Sequence, residues 1–154
     1  MAQIATHAAL LATLLASLCA VRAEACSIRD LATEEEKFAR SKEVFLARVV
    51  RVEETGKAER IGGGEVKTVQ GTYKLMEVFK GEPKDGDTVV DFVFNPGNCS
   101  LGIMAGLHYV FFVQPENRLV LWVNGSRGYI NLDGTVPKAD FERLRALARK
   151  APGR

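Results

Sequence analysis

The sequence predicts a single mainly β domain of five strands in a small, partly open barrel, with a short helix before the first strand and a longer one at the end. Three observations carry this. Apolar, β-branched runs of strand length recur between Glu43 and Val123, separated by turn-forming clusters. A capping signature stands just ahead of the first run, and a helical apolar stripe follows the last. The composition, 47% apolar and 26% charged over 154 residues, suits one ordinary globular unit with no repeat or low-complexity tract.

The elements follow in order. Thr33 ahead of Glu34-Glu35-Glu36 fits a capping box, with Thr33 as N-cap and Glu36 at the third helical position. Lys37, Arg40 and Lys42 lie near the other end, and Phe38 turns inward. Val44 to Val52 is too apolar for a half-exposed strand, so Glu43 to Glu53 is expected at the sheet centre. Residues 56 to 65 are polar and glycine-rich and read as a flexible turn with Gly62-Gly63-Gly64 at its tip, and pairing is expected to resume from Gly71 to Phe79. Gly81 to Asp87 is a turn by composition, Thr88 to Phe94 the third strand, and Leu107 to Val113 the fourth. Arg118 to Val123 reads as the fifth strand, with Trp122 in the core or barrel wall. Pro137 can start the last helix, whose stripe is Phe141, Leu144, Leu147 and Ala148. Few, long strands with long excursions favour a partly open barrel of the OB type over a seven-stranded sandwich.

The first 25 residues read as a secretory signal and residues 26–154 as the domain. The apolar run from Ala8 to Val21 is too short to span a membrane, and Ala23-Glu24-Ala25 has the small-x-small form of a cleavage site. Cutting there makes Cys26 the first residue, while Val21-Arg22-Ala23 offers a second cut before Glu24. Glu24 and Ala23 do not suit a lipoprotein signal, so no lipid anchor is expected. The mature chain then has 129 residues, keeps its net charge of +2, and contains one histidine and two cysteines. This places it outside the cytoplasm, secreted or periplasmic, where Cys26 and Cys99 are most simply one disulfide rather than two free thiols. In the chain-entropy picture, closing a loop of about 74 residues stabilises by about 4.4 kcal/mol.

The same arithmetic narrows function. A charge of +2 argues against a nucleic-acid partner held by phosphate neutralisation. With His108 the sole histidine left, a nucleophile–histidine pair would have to run through one strand residue, and no cofactor or resident metal is called for. Asp85, Asp87 and Asp91 lack EF-hand spacing. The glycine tip lacks the Lys and Ser or Thr of a phosphate loop, and the basic residues of the last helix read as a solvated face. A non-enzymatic, exported domain is therefore expected.

Four stretches in this order carry a family resemblance: Ala25-Cys26-Ser27 at the processed start, Phe38 to Val50 (FARSKEVFLARVV), Tyr73 to Gly81 (YKLMEVFKG), and Cys99 to Val113 (CSLGIMAGLHYVFFV). Over most of residues 26 to 123 the chain resembles the amino-terminal domain of the tissue inhibitors of metalloproteinases and the wider netrin-like group of OB modules. The resemblance implies a metalloproteinase inhibitor in which the α-amine and carbonyl oxygen of Cys26 chelate the target's catalytic zinc. Ser27 would point toward the primary specificity pocket, next to Ile28. Pro96, Gly97, Asn98 and Ser100 would form the second half of the ridge, clamped by Cys26–Cys99. An α-amine with an ordinary pKa of about 7.7 to 8.0 deprotonates at little cost near neutrality, and catalytic zinc keeps one position open for such a ligand. The chain departs from the family at Ile28, where a second cysteine is expected, so one disulfide stands where the family has three. The alternative reading is a netrin-like module that binds an extracellular polypeptide without inhibiting a protease.

Overall fold

The computed structural model describes residues 32–61, 64–95, 99–116 and 118–150. Helix α1 spans Glu34–Arg40 as its capping box predicts. The Glu36 amide donates to Thr33 Oγ1 at 3.2 Å, and the Thr33 amide donates to Glu36 Oε2 at 2.7 Å. Phe38 is buried, and the Lys80 ammonium donates to the Phe38 and Ala39 carbonyl oxygens at 2.8 and 2.7 Å, closing the helix C-terminus.

Five antiparallel strands follow, β1 (Glu43–Ile61), β2 (Gly64–Lys80), β3 (Thr88–Phe92), β4 (His108–Val113) and β5 (Arg127–Tyr129), in the spatial order β3-β2-β1-β4-β5. β1 is central, as its apolar run predicts, because it is covered on both faces. Val44 and Leu46 face a cluster with Phe79, Val110, Phe112 and the terminal helix, whereas Phe45, Ala47 and Val49 face Tyr73, Val89, Tyr109 and Phe111. On that second face the rings of Phe45, Tyr73, Phe111 and Tyr109 pack with successive centroids 4.7 to 6.3 Å apart. Helix α2 spans Thr135–Lys150 and lays Phe141, Leu144 and Leu147 on the first face, with Ala148 packed beside them, the stripe read from the sequence.

Three expectations are corrected. The polar stretch from residue 56 is not a loose turn, for β1 stays paired with β2 out to Ile61↔Gly64. A bulge at Thr55 to Lys57 absorbs the irregularity: Gly56 takes φ 68°, Thr55 Oγ1 and Thr68 Oγ1 lie 2.5 Å apart, and the Lys57 amide donates to Thr55 Oγ1. Second, the segment expected as the fifth strand makes only isolated bridges, Val90↔Leu119 and Ser100↔Leu121, before a 3-10 turn at Trp122–Asn124. Arg118 breaks the extended run by taking φ 56°, which sends its guanidinium back to the Thr88 carbonyl at 2.6 Å and the Tyr73 hydroxyl at 3.2 Å. The fifth strand is instead Arg127–Tyr129, in the glycine-rich stretch, where the Tyr109 ring covers Gly128 across the sheet. Trp122 is consequently not a core residue but 50% exposed.

Among the described residues the five-stranded sheet is not closed into a barrel, and β3 and β5 are its edges. Among the described residues no helix is long and apolar enough to cross a membrane.

Candidate functional site

Of the residues expected to form the ridge, Cys26, Ser27, Ile28, Pro96, Gly97 and Asn98 lie outside the described residues. Cys99 and Ser100 are described, and both are buried. Cys99 is disulfide-bonded, and the partner cysteine lies outside the described residues. Cys99 packs with Phe92, Leu121 and Val123 in a small cluster at the β3 edge.

The loop after Cys99 is held by Asp91, one of the three aspartates whose spacing does not fit an EF-hand. Asp91 sits on the same face of β3 as Val89, since side chains alternate along a strand, and it is 0% exposed. Its carboxylate collects donors on both oxygens. Oδ1 accepts the Phe92 amide at 2.8 Å and the Leu101 amide at 3.1 Å. Oδ2 accepts the Gly102 amide at 2.8 Å, the Ile103 amide at 3.2 Å and the Ser100 hydroxyl at 3.1 Å. Burial pushes the Asp91 pKa up, against these donors, which act to lower it. The Ser100 hydroxyl also lies 3.0 Å from the Phe92 carbonyl oxygen and accepts the Gly102 amide at 3.0 Å, so this side chain faces the interior. Gly102 takes φ 69°, which wraps the chain around the carboxylate, and a Cβ there would stand 3.2 Å from the Phe94 ring.

Tyr109 fastens the far end of the same loop. Its hydroxyl accepts the Met104 amide at 2.9 Å and donates to the Gly102 carbonyl oxygen at 3.3 Å. Its ring stacks on Phe111 with centroids 5.4 Å apart, which ties the loop to the central core. Burial raises the Tyr109 pKa, and the nearby Asp91 charge adds to the rise. The result is a loop with its amides fixed from two strands and its surface apolar. Phe94 lies over Gly102 and is 69% exposed, Met104 is 57% exposed, and Trp122 follows Leu121, the bridge partner of Ser100.

The remaining sequence motifs are dispersed. Asp85 accepts the Leu75 amide at 2.7 Å, and Asp87 stands 3.6 Å from Arg118, so neither joins Asp91. Among the described residues no group of three or more His, Cys, Asp or Glu could hold a metal ion. His108 lies in β4 opposite Arg48 and Tyr129. One sequence signal could have found Asp91: a lone acid in the run Val89-Val90-Asp91-Phe92-Val93, in phase with Val89. A buried acid demands donors, and the amides of the following glycine-containing loop are the nearest source.

No protein-family model matches the chain, and no curated protein does.

Proposed function

We propose that the chain is an exported, netrin-like inhibitor of zinc metalloproteinases, active after cleavage before Cys26. In this reading the Cys26 α-amine and carbonyl oxygen ligate the zinc of the target, Ser27 addresses its specificity pocket, and the loop ending at Ser100 forms the second half of the ridge. The thiol of Cys26 is not a zinc ligand but the covalent tie to Cys99. One observation carries the proposal: Cys99 is a disulfide cysteine followed directly by a loop whose amides are fixed by a buried carboxylate. A wedge offered to a rigid active-site cleft binds tightly only if its conformational freedom is already spent, and the fixed backbone of Leu101 to Ile103 would anchor the ridge from its C-terminal side.

An OB-type barrel belongs to the same proposal, although the five-stranded ladder itself is open and closure would have to run through residues outside its named strands. Its support is the seam between β3 and residues 118–121, parallel as such a barrel requires. The Val90 amide donates to the Arg118 carbonyl at 3.0 Å, and the Val120 amide donates to the Val90 carbonyl at 2.9 Å. The Gln114 amide donates to the Leu119 carbonyl at 3.2 Å and links this seam to the end of β4.

The test begins with the intact mass of the exported protein, with and without reductant. A mass starting at Cys26 and rising by two hydrogens on reduction is expected. Acetylating the α-amine, or adding one residue before Cys26, is then expected to abolish inhibition of a panel of zinc proteases while the circular dichroism stays unchanged. Undiminished inhibition after either change overturns the proposal. The exposed Phe94, Met104 and Trp122 beside the same loop favour a second reading, a polypeptide-binding module that does not engage zinc. That module captures its partner equally well with a blocked α-amine.

A further inference from the structure

We propose that Asp91 is the positioning residue of the Cys99 loop: it touches no partner itself but pre-forms the backbone from Ser100 to Ile103, and with it the placement of Cys99. The inference rests on the inhibitor reading for its functional consequence and on geometry alone for its structural one.

The argument is one of donor accounting. Four backbone amides and one hydroxyl converge on this carboxylate, three of the amides being consecutive, Leu101 to Ile103. Extended backbone alternates the direction of its amides, so consecutive amides converge on one centre only where the chain turns into a nest-like conformation, and a carboxylate there supplies their acceptor. The alternation is broken at Gly102, where φ is 69°. The carboxylate comes from β3, which is paired with β2 through Val69↔Asp91, so the centre belongs to the sheet and not to the loop. Removing it would leave the Leu101 and Ile103 amides of a partly buried loop without this acceptor and the Gly102 amide with Ser100 Oγ alone, whereas the sheet would retain its ladders and aromatic core. Tyr109 plays a matching but narrower part at Met104, from β4. The two strands thus fix a loop that makes one isolated bridge, Ser100↔Leu121.

Acceptor capacity on both oxygens, as well as shape, is what the site uses. The amide of Asp91→Asn is nearly isosteric but offers one acceptor and one donor, and the donor would face N–H or O–H groups on whichever side it lay. Asp91→Asn therefore tests the carboxylate and not the space it fills.

The experiment is residue-resolved amide hydrogen exchange on the full exported chain, read beside inhibition of a zinc protease and thermal stability. In Asp91→Asn the amides of Leu101, Gly102 and Ile103 are expected to exchange about ten- to a hundredfold faster, while β4 amides change less than about threefold. Inhibition is expected to weaken by a comparable factor, more than the shift in thermal midpoint accounts for. Should Asp91→Asn not fold, Ser100→Ala and Tyr109→Phe carry the test, with faster exchange expected at Gly102 and at Met104 respectively. Loop protection kept in the variant, or a uniform acceleration across sheet and loop, overturns the inference. A wild-type chain with a protected loop and no inhibition removes the inhibitor reading and leaves Asp91 as the organiser. Inhibition unchanged despite an opened loop leaves Asp91 as the organiser of the loop and overturns its functional consequence.

Discussion

Two aspartates at opposite ends of the molecule solve the problem of a dehydrated carboxylate in different ways. Asp91, in the sheet, is surrounded by neutral donors, and its pKa is raised because burial outweighs its hydrogen bonds. Asp140, on α2, is also pushed upward by burial, but the hydrogen bond from Tyr129 and the charges of Arg127 and Arg143 overcome this and lower its pKa. The Asp140 group is an ion-pair cluster that staples three elements. Arg127 donates to Asp140 Oδ2 and to Glu34 Oε1, each at 2.7 Å, and Tyr129 donates to Asp140 at 2.5 Å. Arg143 closes the cluster against both Glu34 and Asp140. Countercharge therefore serves where two helices must be locked to β5, and neutral amides serve where a backbone must be shaped. The sheet end shapes a loop, and the helix end holds the fold.

The largest effect separating the two ends is expected from Asp91→Ala. It deprives the Leu101 and Ile103 amides of their carboxylate acceptor and leaves Gly102 with Ser100 Oγ alone, at a cost of about 2 to 4 kcal/mol by chemical denaturation. The damage should stay near Cys99. Arg127→Ala is expected to cost about 1.5 to 3 kcal/mol, because it removes charge-assisted hydrogen bonds from both Asp140 and Glu34. Its effect should instead be seen as fraying of α1. If Arg127→Ala loosened the Cys99 loop, or Asp91→Ala loosened α1, the separation of the two ends would be wrong.

The helix end was largely legible in the sequence. The capping box at Thr33 and the stripe on α2 are local patterns, and local patterns survive folding when nothing tertiary competes with them. The centre of the sheet was legible for a related reason: a run apolar on both faces has few places to go. What failed was decided by contacts far apart in sequence. Arg118 looks like a strand residue until Thr88 and Tyr73 are seen to draw its guanidinium back. Gly128 looks like loop punctuation until the Tyr109 ring is found over it. Asp91 lay in plain view as an acid in the wrong phase, yet its meaning depended on three amides ten to twelve residues away. Of the candidate ridge, only Ser100 and its neighbour Cys99 can be compared with the structure. There the Ser100 side chain points inward, so it supports the ridge backbone.

Acid titration sharpens the contrast because the two aspartates act with opposite sign. Asp140 has a folded pKa below its ordinary 3.8, so its contribution to stability is fully present above that value and is lost as the pH falls through the folded one. Asp91 has a folded pKa above 3.8, so its contribution is present below 3.8 and is lost as the pH rises through the folded value. Measured by thermal unfolding between about pH 2 and pH 6, Asp140→Asn is expected to make stability fall less steeply on the acid side. Asp91→Asn is expected to make it fall more steeply there, relative to its own value at neutrality. Identical slope changes in the two variants would show that burial and countercharge have been assigned to the wrong residues.

The smallest effect belongs to an ion pair with better geometry than either aspartate enjoys. Arg145, on α2, donates from Nε and Nη2 to the two oxygens of Glu77 on β2, both at 2.7 Å. Bidentate geometry would make this a strong contact in a dry setting, but Arg145 is nearly half-exposed and water competes for both ions. Arg145→Ala is expected to cost about 0.2 to 1 kcal/mol, and raising the salt concentration should shrink even that. The Arg127 cluster, with Asp140 and Glu34 both largely covered, should keep most of its contribution at the same ionic strength. Parallel denaturation of the two arginine variants at low and high salt measures the difference. A salt-insensitive loss at Arg145 as large as that at Arg127 would mean that geometry, and not dehydration, sets the worth of these contacts.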